Sequence, residues 1–136
     1  MDNSWVFDLE TKLLSMIKVK TESTLKKKYP DIFYTNTDSP KDVSTHFPTV
    51  YVHELPGVEK AKTTEGNSIE SVFYSLQVEV TSQKSQKETK YVLSRIAEVL
   101  KDSGFSISSF PEASNGKTYY RSIMRASRLI GRIDTL

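Results

Sequence analysis

From Ile69 to Ser82 the chain alternates apolar and polar residues with a period of two. Val72, Tyr74, Leu76, Val78 and Val80 share one parity, and Ser75, Gln77, Glu79 and Thr81 share the other. Successive side chains of a strand point to opposite faces, so this stretch predicts a long strand with one buried and one wet face. Phe73 alone breaks the polar parity. The next stretch, Gln83 to Asp102, changes period: Val92, Ile96, Val99 and Leu100 fall on one side of a helix that Gly104 would stop. A half-buried strand feeding an amphipathic helix constrains the rest of the chain to cover or extend that pair. The expectation is a two-layer α+β fold.

The remaining segments supply the cover. Asn3 or Ser4 can cap a first helix, with Asp8 and Glu10 near its positive end and Trp5, Leu9, Leu13, Met16 and Ile17 at helical spacing. Lys26, Lys27 and Lys28 suit its C-terminal end as a solvated stretch, and Tyr29-Pro30 ends it. Asp31–Tyr34 is a short strand candidate, and the polar run Thr35–Thr45 with Pro40 is a loop. Phe47–Leu55 returns to apolar alternation, with Pro48 at the strand start or on an edge. Pro56–Ser68 is mostly polar and has nothing apolar strong enough to pack except Val58, which predicts a long exposed hairpin loop of the kind that carries function in small domains.

After the helix, Phe105–Phe110 alternates and Asn115-Gly116 is a tight-turn signal. The last piece, Thr118–Ile130, has two readings. Arg121, Arg125, Arg128 and Arg132 fit one helical stripe, whereas the preceding Asn-Gly turn and the opening Tyr119 and Tyr120 favour a strand closed by Gly131. With the strand reading the order is α-β-β-β-α-β-β: a mainly antiparallel sheet of about five strands with two helices on one face, in one domain spanning 1–136.

Composition narrows the function classes. The chain has 136 residues, no cysteine and a net charge of +2. Disulfide and thiolate chemistry are therefore absent, and the near balance of charge does not support broad nonspecific nucleic-acid binding. No apolar run approaches the roughly 20 residues of a membrane span, and no basic leader before an apolar run suggests a secretory signal. With two histidines and no cysteine, no zinc site is expected, nor any other cofactor. His46 and His53 have no carboxylate or serine at motif spacing and are expected to be ordinary surface or edge residues. No hydrolase elbow, phosphate loop or dinucleotide fingerprint occurs.

One catalytic pattern is worth weighing. The element order also occurs in restriction-endonuclease-like nucleases, in which carboxylates hold magnesium. Glu54 or Glu70 would be the first acid and Gln77-Val78-Glu79 the second element, but the lysine required beside Glu79 is missing. The wet face of the alternating strand explains Gln77 and Glu79 better. The C-terminal arginines are the stronger candidates. As a strand, Arg121 and Arg125 share one face and Arg128 and Arg132 the other. Their planar forks suit bidentate bonds to carboxylates at a protein interface, the simpler reading being a solvated edge strand.

The assembled pattern resembles a known family. It combines an N-terminal helix, Phe47-Pro48-Thr49-Val50-Tyr51-Val52, a polar loop, Glu70 before the alternating strand, a helix closing at Gly104-Phe105, and the Arg-rich last strand Tyr120-Arg121-Ser122-Ile123-Met124-Arg125. This is similar to the tail terminator, or tail completion, proteins of long-tailed siphophages and to related minor capsid and head-tail joining proteins, over about residues 1–133. The resemblance implies a non-enzymatic virion protein, assembled in the host bacterial cytoplasm and located at the head-tail junction. It would form a homo-oligomeric ring, usually of six subunits, on the finished tail tube. Its partners would be the tail tube protein and the head connector, with DNA passing only transiently through the lumen and no membrane. Interface residues would then come from Arg121, Arg125, Arg128 and Arg132 and from Lys60, Lys62 and Glu65 of the polar loop. A generic protein-binding adaptor is the further alternative.

Overall fold

Strand β4, Ile69–Ser82, lies at the centre of the sheet. The computed structural model describes residues 4–36, 47–55, 59–62, 69–113 and 119–134, with side chains described in all of these except 59–62, 69–70 and 110–113. The chain opens with a helical turn, α1 (Ser4–Phe7), and a long helix, α2 (Leu9–Lys28). Strands β1 (Phe33–Thr35), β2 (Thr49–Glu54) and β3 (Glu59–Lys62) precede β4. Helix α3 (Gln86–Asp102) and strands β5 (Ser106–Ala113) and β6 (Tyr120–Gly131) follow. The sheet order is β1-β2-β4-β6-β5, and β1 alone runs parallel to its neighbour. The mixed α+β fold read from the sequence is the fold of the chain, and the sheet is open rather than closed.

The C-terminal stretch with two readings is a strand from Tyr120 to Gly131. Strand β6 pairs with β4 from Ser71↔Gly131 to Ser82↔Tyr120 and with β5 on its other side. It is therefore an interior strand, not the solvated edge that was the simpler expectation for its arginines.

The polar stretch Pro56–Ser68 is the main correction. It holds β3, which pairs antiparallel with the start of β4 through Glu59↔Phe73, Lys60↔Val72 and Ala61↔Ser71. Since β6 occupies one edge of β4 along most of its length, β2 and β3 share the other edge end to end, β2 opposite 76–81 and β3 opposite 69–73. Backbone pairing with β4 recruits a segment whose sequence has no apolar alternation.

The core lies between the helices and one face of the sheet. Val72, Tyr74, Leu76, Val78, Val80, Met124, Ala126 and Ile130 are buried there with Leu9, Leu13, Ile17, Val92, Ile96 and Leu100. Leu93 belongs to this core although it was not among the expected helix residues, while Val99 is only partly buried against it. Two polar pins fix the layers. Thr89 Oγ1 donates to the Gln86 carbonyl at 2.6 Å, which leaves the Ser122 hydroxyl to donate to Thr89 at 2.8 Å, joining α3 to β6. The Ser82 hydroxyl donates to the buried Glu88 carboxylate, tying the end of β4 to the first turn of α3.

Helix α3 starts later than Gln83. Ser85 is its N-cap and accepts from the Glu88 N–H at 3.2 Å. It stops where expected: Gly104 has φ +89, its N–H reaches the Lys101 carbonyl at 3.0 Å, and the Phe105 N–H reaches Leu100 at 2.9 Å. This is the paired terminus that favours glycine. At the start of α2, Asp8 is the N-cap without a side-chain bond to the helix.

Candidate interaction face

Helices α2 and α3 pack on the same side of the sheet, so among the described residues no helix covers the odd-numbered face of β4. Its rows follow from the register: Phe73 opposite Leu129, Ser75 opposite Ser127, Gln77 opposite Arg125, Glu79 opposite Ile123, and Thr81 opposite Arg121. Tyr51 and His53 of β2 extend the rows on one side. Alternation puts these residues on one face because each side chain on the helix side has an apolar place to go.

The middle of the face is a polar network. Glu79, with 13% of its side chain exposed, lies between the His53 ring, whose Nε2 is 3.5 Å away, and the Arg121 guanidinium, whose Nη1 is 3.7 Å away. His53 stacks on Tyr51 with ring centroids 4.5 Å apart. It is therefore a member of the network on an interior strand, not an isolated edge residue. Arg121 also rests over the Tyr119 ring, 5.4 Å from its centroid. Arg125 donates Nε–H to Gln77 Oε1 at 2.9 Å and is otherwise exposed. One bond leaves most of the guanidinium's five donors for an external acceptor.

The end of the face towards the start of β4 is apolar. Phe73 is 47% and Leu129 61% exposed, and they are direct cross-strand partners. Phe73 was visible as the break in the polar parity. Its pairing with Leu129 was not visible, because the register between strands so distant in sequence is a tertiary property.

The arginines divide as their parity requires. Arg121 and Arg125 are on the open face. Arg128 is opposite Tyr74, on the helix side, where it donates to Asp134 Oδ2 at 3.3 Å and where a β-carbon on Gly104 would meet its Nε at 3.2 Å. Arg132 lies past the strand end and lines a groove of about 650 Å³ between α2 and the end of β6. Trp5, Asp8, Leu9, Lys12, Met16, Val19, Lys20 and Ile130 also contribute to that groove. Lys60 and Lys62 fall on β3 opposite Val72 and Ile69 rather than in a loop. Glu65, His46 and the Asn115-Gly116 turn lie outside the described residues.

The lysines ending α2 are all exposed, as a solvated helix end requires, and two of them make surface contacts. Lys26 pairs with Glu22 at 2.7 Å, holding that carboxyl below its usual range, and Lys28 Nζ sits 4.1 Å from the Tyr91 ring centroid.

Among the described residues, no group of three or more His, Cys, Asp and Glu is placed to hold a metal ion, and no helix is long and apolar enough to cross a membrane. The sequence matches no protein-family model and none of the curated proteins compared with it.

Proposed function

We propose that this chain is a structural subunit of a phage tail, a tail terminator that closes a ring on the finished tube, stops its growth and offers a surface to the head connector. The observation that carries the reading is the uncovered sheet face. It combines an exposed apolar pair, Phe73 and Leu129, with an Arg125 fork bound at one nitrogen only. Such a face suits contact with another protein, where buried aromatic and arginine side chains contribute most of the binding energy. The resemblance over about residues 1–133 supplies the identity of the assembly. Glu79 bears against the nuclease alternative, since it sits beside Arg121 and His53 and Gln77 is held by Arg125.

Electron microscopy of tail tubes polymerised with and without the chain tests this. The expected result is tubes of limited length bearing a ring at one end when it is present, and overlong tubes when it is absent. Equal length distributions would overturn the reading, and magnesium-dependent cleavage of DNA by the purified chain would replace it with the nuclease.

A further inference from the structure

The cationic residues of this chain are segregated by type. Four of its arginines lie on or beside β6, whereas residues 22–31 and 82–91 hold six lysines, no arginine and three carboxylates. Six lysines less three carboxylates give these two segments a charge of +3, against +2 for the whole chain. The fold brings them together where the end of α2 meets the start of α3. Lys28, Lys84 and Lys87 line a recess of about 260 Å³ there, and Lys28 and Lys84 line an adjoining one of about 240 Å³. All three are exposed, as are Lys27, next to Lys28, and Lys90, one helical turn beyond Lys87. Two of the three carboxylates are already engaged. Glu22 is bonded to Lys26 at 2.7 Å, and the buried Glu88 accepts from the Ser82 hydroxyl. Asp31 is the exposed carboxylate among the described lining residues.

We infer that this lysine-rich end of the molecule binds the phosphate backbone of a nucleic acid. The inference goes beyond the tail-terminator reading and does not rest on it. The choice of lysine decides between polyanions. An ammonium is a compact point charge that meets a phosphate in many orientations, whereas the planar arginine fork fixes the geometry of a carboxylate. A patch of lysines without arginine therefore fits a sequence-independent backbone contact. One of the lysines is also held in place: Lys28 Nζ sits 4.1 Å from the Tyr91 ring centroid and 5.7 Å from that of Tyr29, the two rings meeting edge to face. The small net charge of the chain is compatible with this, because the contact is confined to one end. Lys28 meets Tyr91 and, further back, the Ser103 hydroxyl donates to Met16 Sδ at 3.3 Å, so α2 and α3 run antiparallel. Lys12 and Lys101 consequently lie towards the other end, about 20 Å away along the helices. That is about two Debye lengths at 0.1 M salt.

Fluorescence anisotropy of a short labelled DNA duplex, and of a single strand of the same length, tests this on the purified chain. Wild type should bind both at low salt. The logarithm of its affinity for the duplex should fall linearly with that of salt, with a slope of roughly −3 to −4 for about four phosphate contacts, and less steeply for the single strand. Lys84→Glu/Lys87→Glu should weaken binding about tenfold or more and make the slope shallower by about 2. Lys12→Glu/Lys101→Glu makes the same change in net charge at the other end, so its affinity should stay within about twofold of wild type.

Glutamates at the start of α3 suit its positive end, so the first variant should fold. Circular dichroism checks this, and Lys84→Gln/Lys87→Gln serves if it does not. Wild type that shows no salt-dependent binding to either DNA, or an equal loss in the two paired variants, would overturn the inference. Tighter binding of poly-glutamate than of DNA would overturn it too, replacing the nucleic acid with an acidic protein.

Discussion

Tyr34 and Tyr74 are both buried core tyrosines with different hydroxyl environments. Thr21 donates to the Ile17 carbonyl at 2.6 Å, so the Tyr34 hydroxyl donates to Thr21 at 2.7 Å. The Tyr74 hydroxyl is buried with no hydrogen-bond partner among the described residues. Removing the first breaks a bond, and removing the second relieves an unmet one. Tyr34→Phe should therefore cost about 1 kcal/mol, and Tyr74→Phe should be neutral or stabilising by about 1 kcal/mol, read from denaturant midpoints. The same burial sets a pH dependence. Desolvation raises the pKa of both phenols, with Glu54 and Glu10 adding to the shift at Tyr74. The fold thus favours the neutral phenol. This stabilisation is complete below the unfolded value of about 10 and is lost as pH rises through the higher folded values. Melts between about pH 9 and pH 11 should fall for wild type and fall less for Tyr74→Phe. Parity placed Tyr74 inside from the sequence alone, but whether its hydroxyl would find a partner depended on atoms brought in from other elements.

The elements with strong periodic patterns were legible, and the one without was not. β4, α3 and its stop at Gly104 follow from apolar spacing and a glycine, which are local properties. β3 was read as loop because Glu59-Lys60-Ala61-Lys62 has no apolar face, and its pairing comes from the exposed edge of β4 beyond the end of β2. Deleting Lys60–Gly66, which a loop would tolerate, should instead cost about 1–3 kcal/mol because it removes ladder hydrogen bonds. An unchanged melt would return the segment to a loop. At the other signal, Gly104→Ala should cost about 1–2 kcal/mol for the left-handed backbone. The new methyl would also press on Arg128, so Arg128→Ala should recover part of the loss and expose the two causes separately.

For the molecule as a whole, the sequence made Arg121 and Arg125 equivalent, since strand parity puts both on one face. The folded chain separates them. Arg121 is engaged within the subunit by Glu79 and Tyr119, whereas among the described residues Arg125 bonds neutral Gln77 alone and is exposed. Glu79 was legible only as a wet-face residue, because its approach to Arg121 is a diagonal contact set by the β4–β6 register. The two arginines should therefore fail differently. Arg121→Ala removes a partly exposed ion pair worth about 1 kcal/mol or less, and its main effect should be a small loss of thermal stability. Arg125→Ala should melt as wild type yet weaken association between subunits, because a fork that fixes geometry against a carboxylate is lost from every contact of a symmetric ring. Arg125→Lys keeps the charge without the fork, so it should restore tube capping only in part. Tail-length distributions and melts measured on the same preparations distinguish the two sites. Normal capping by Arg125→Ala together with defective capping by a fully stable Arg121→Ala would invert the assignment and place the partner's carboxylate over the centre of the face.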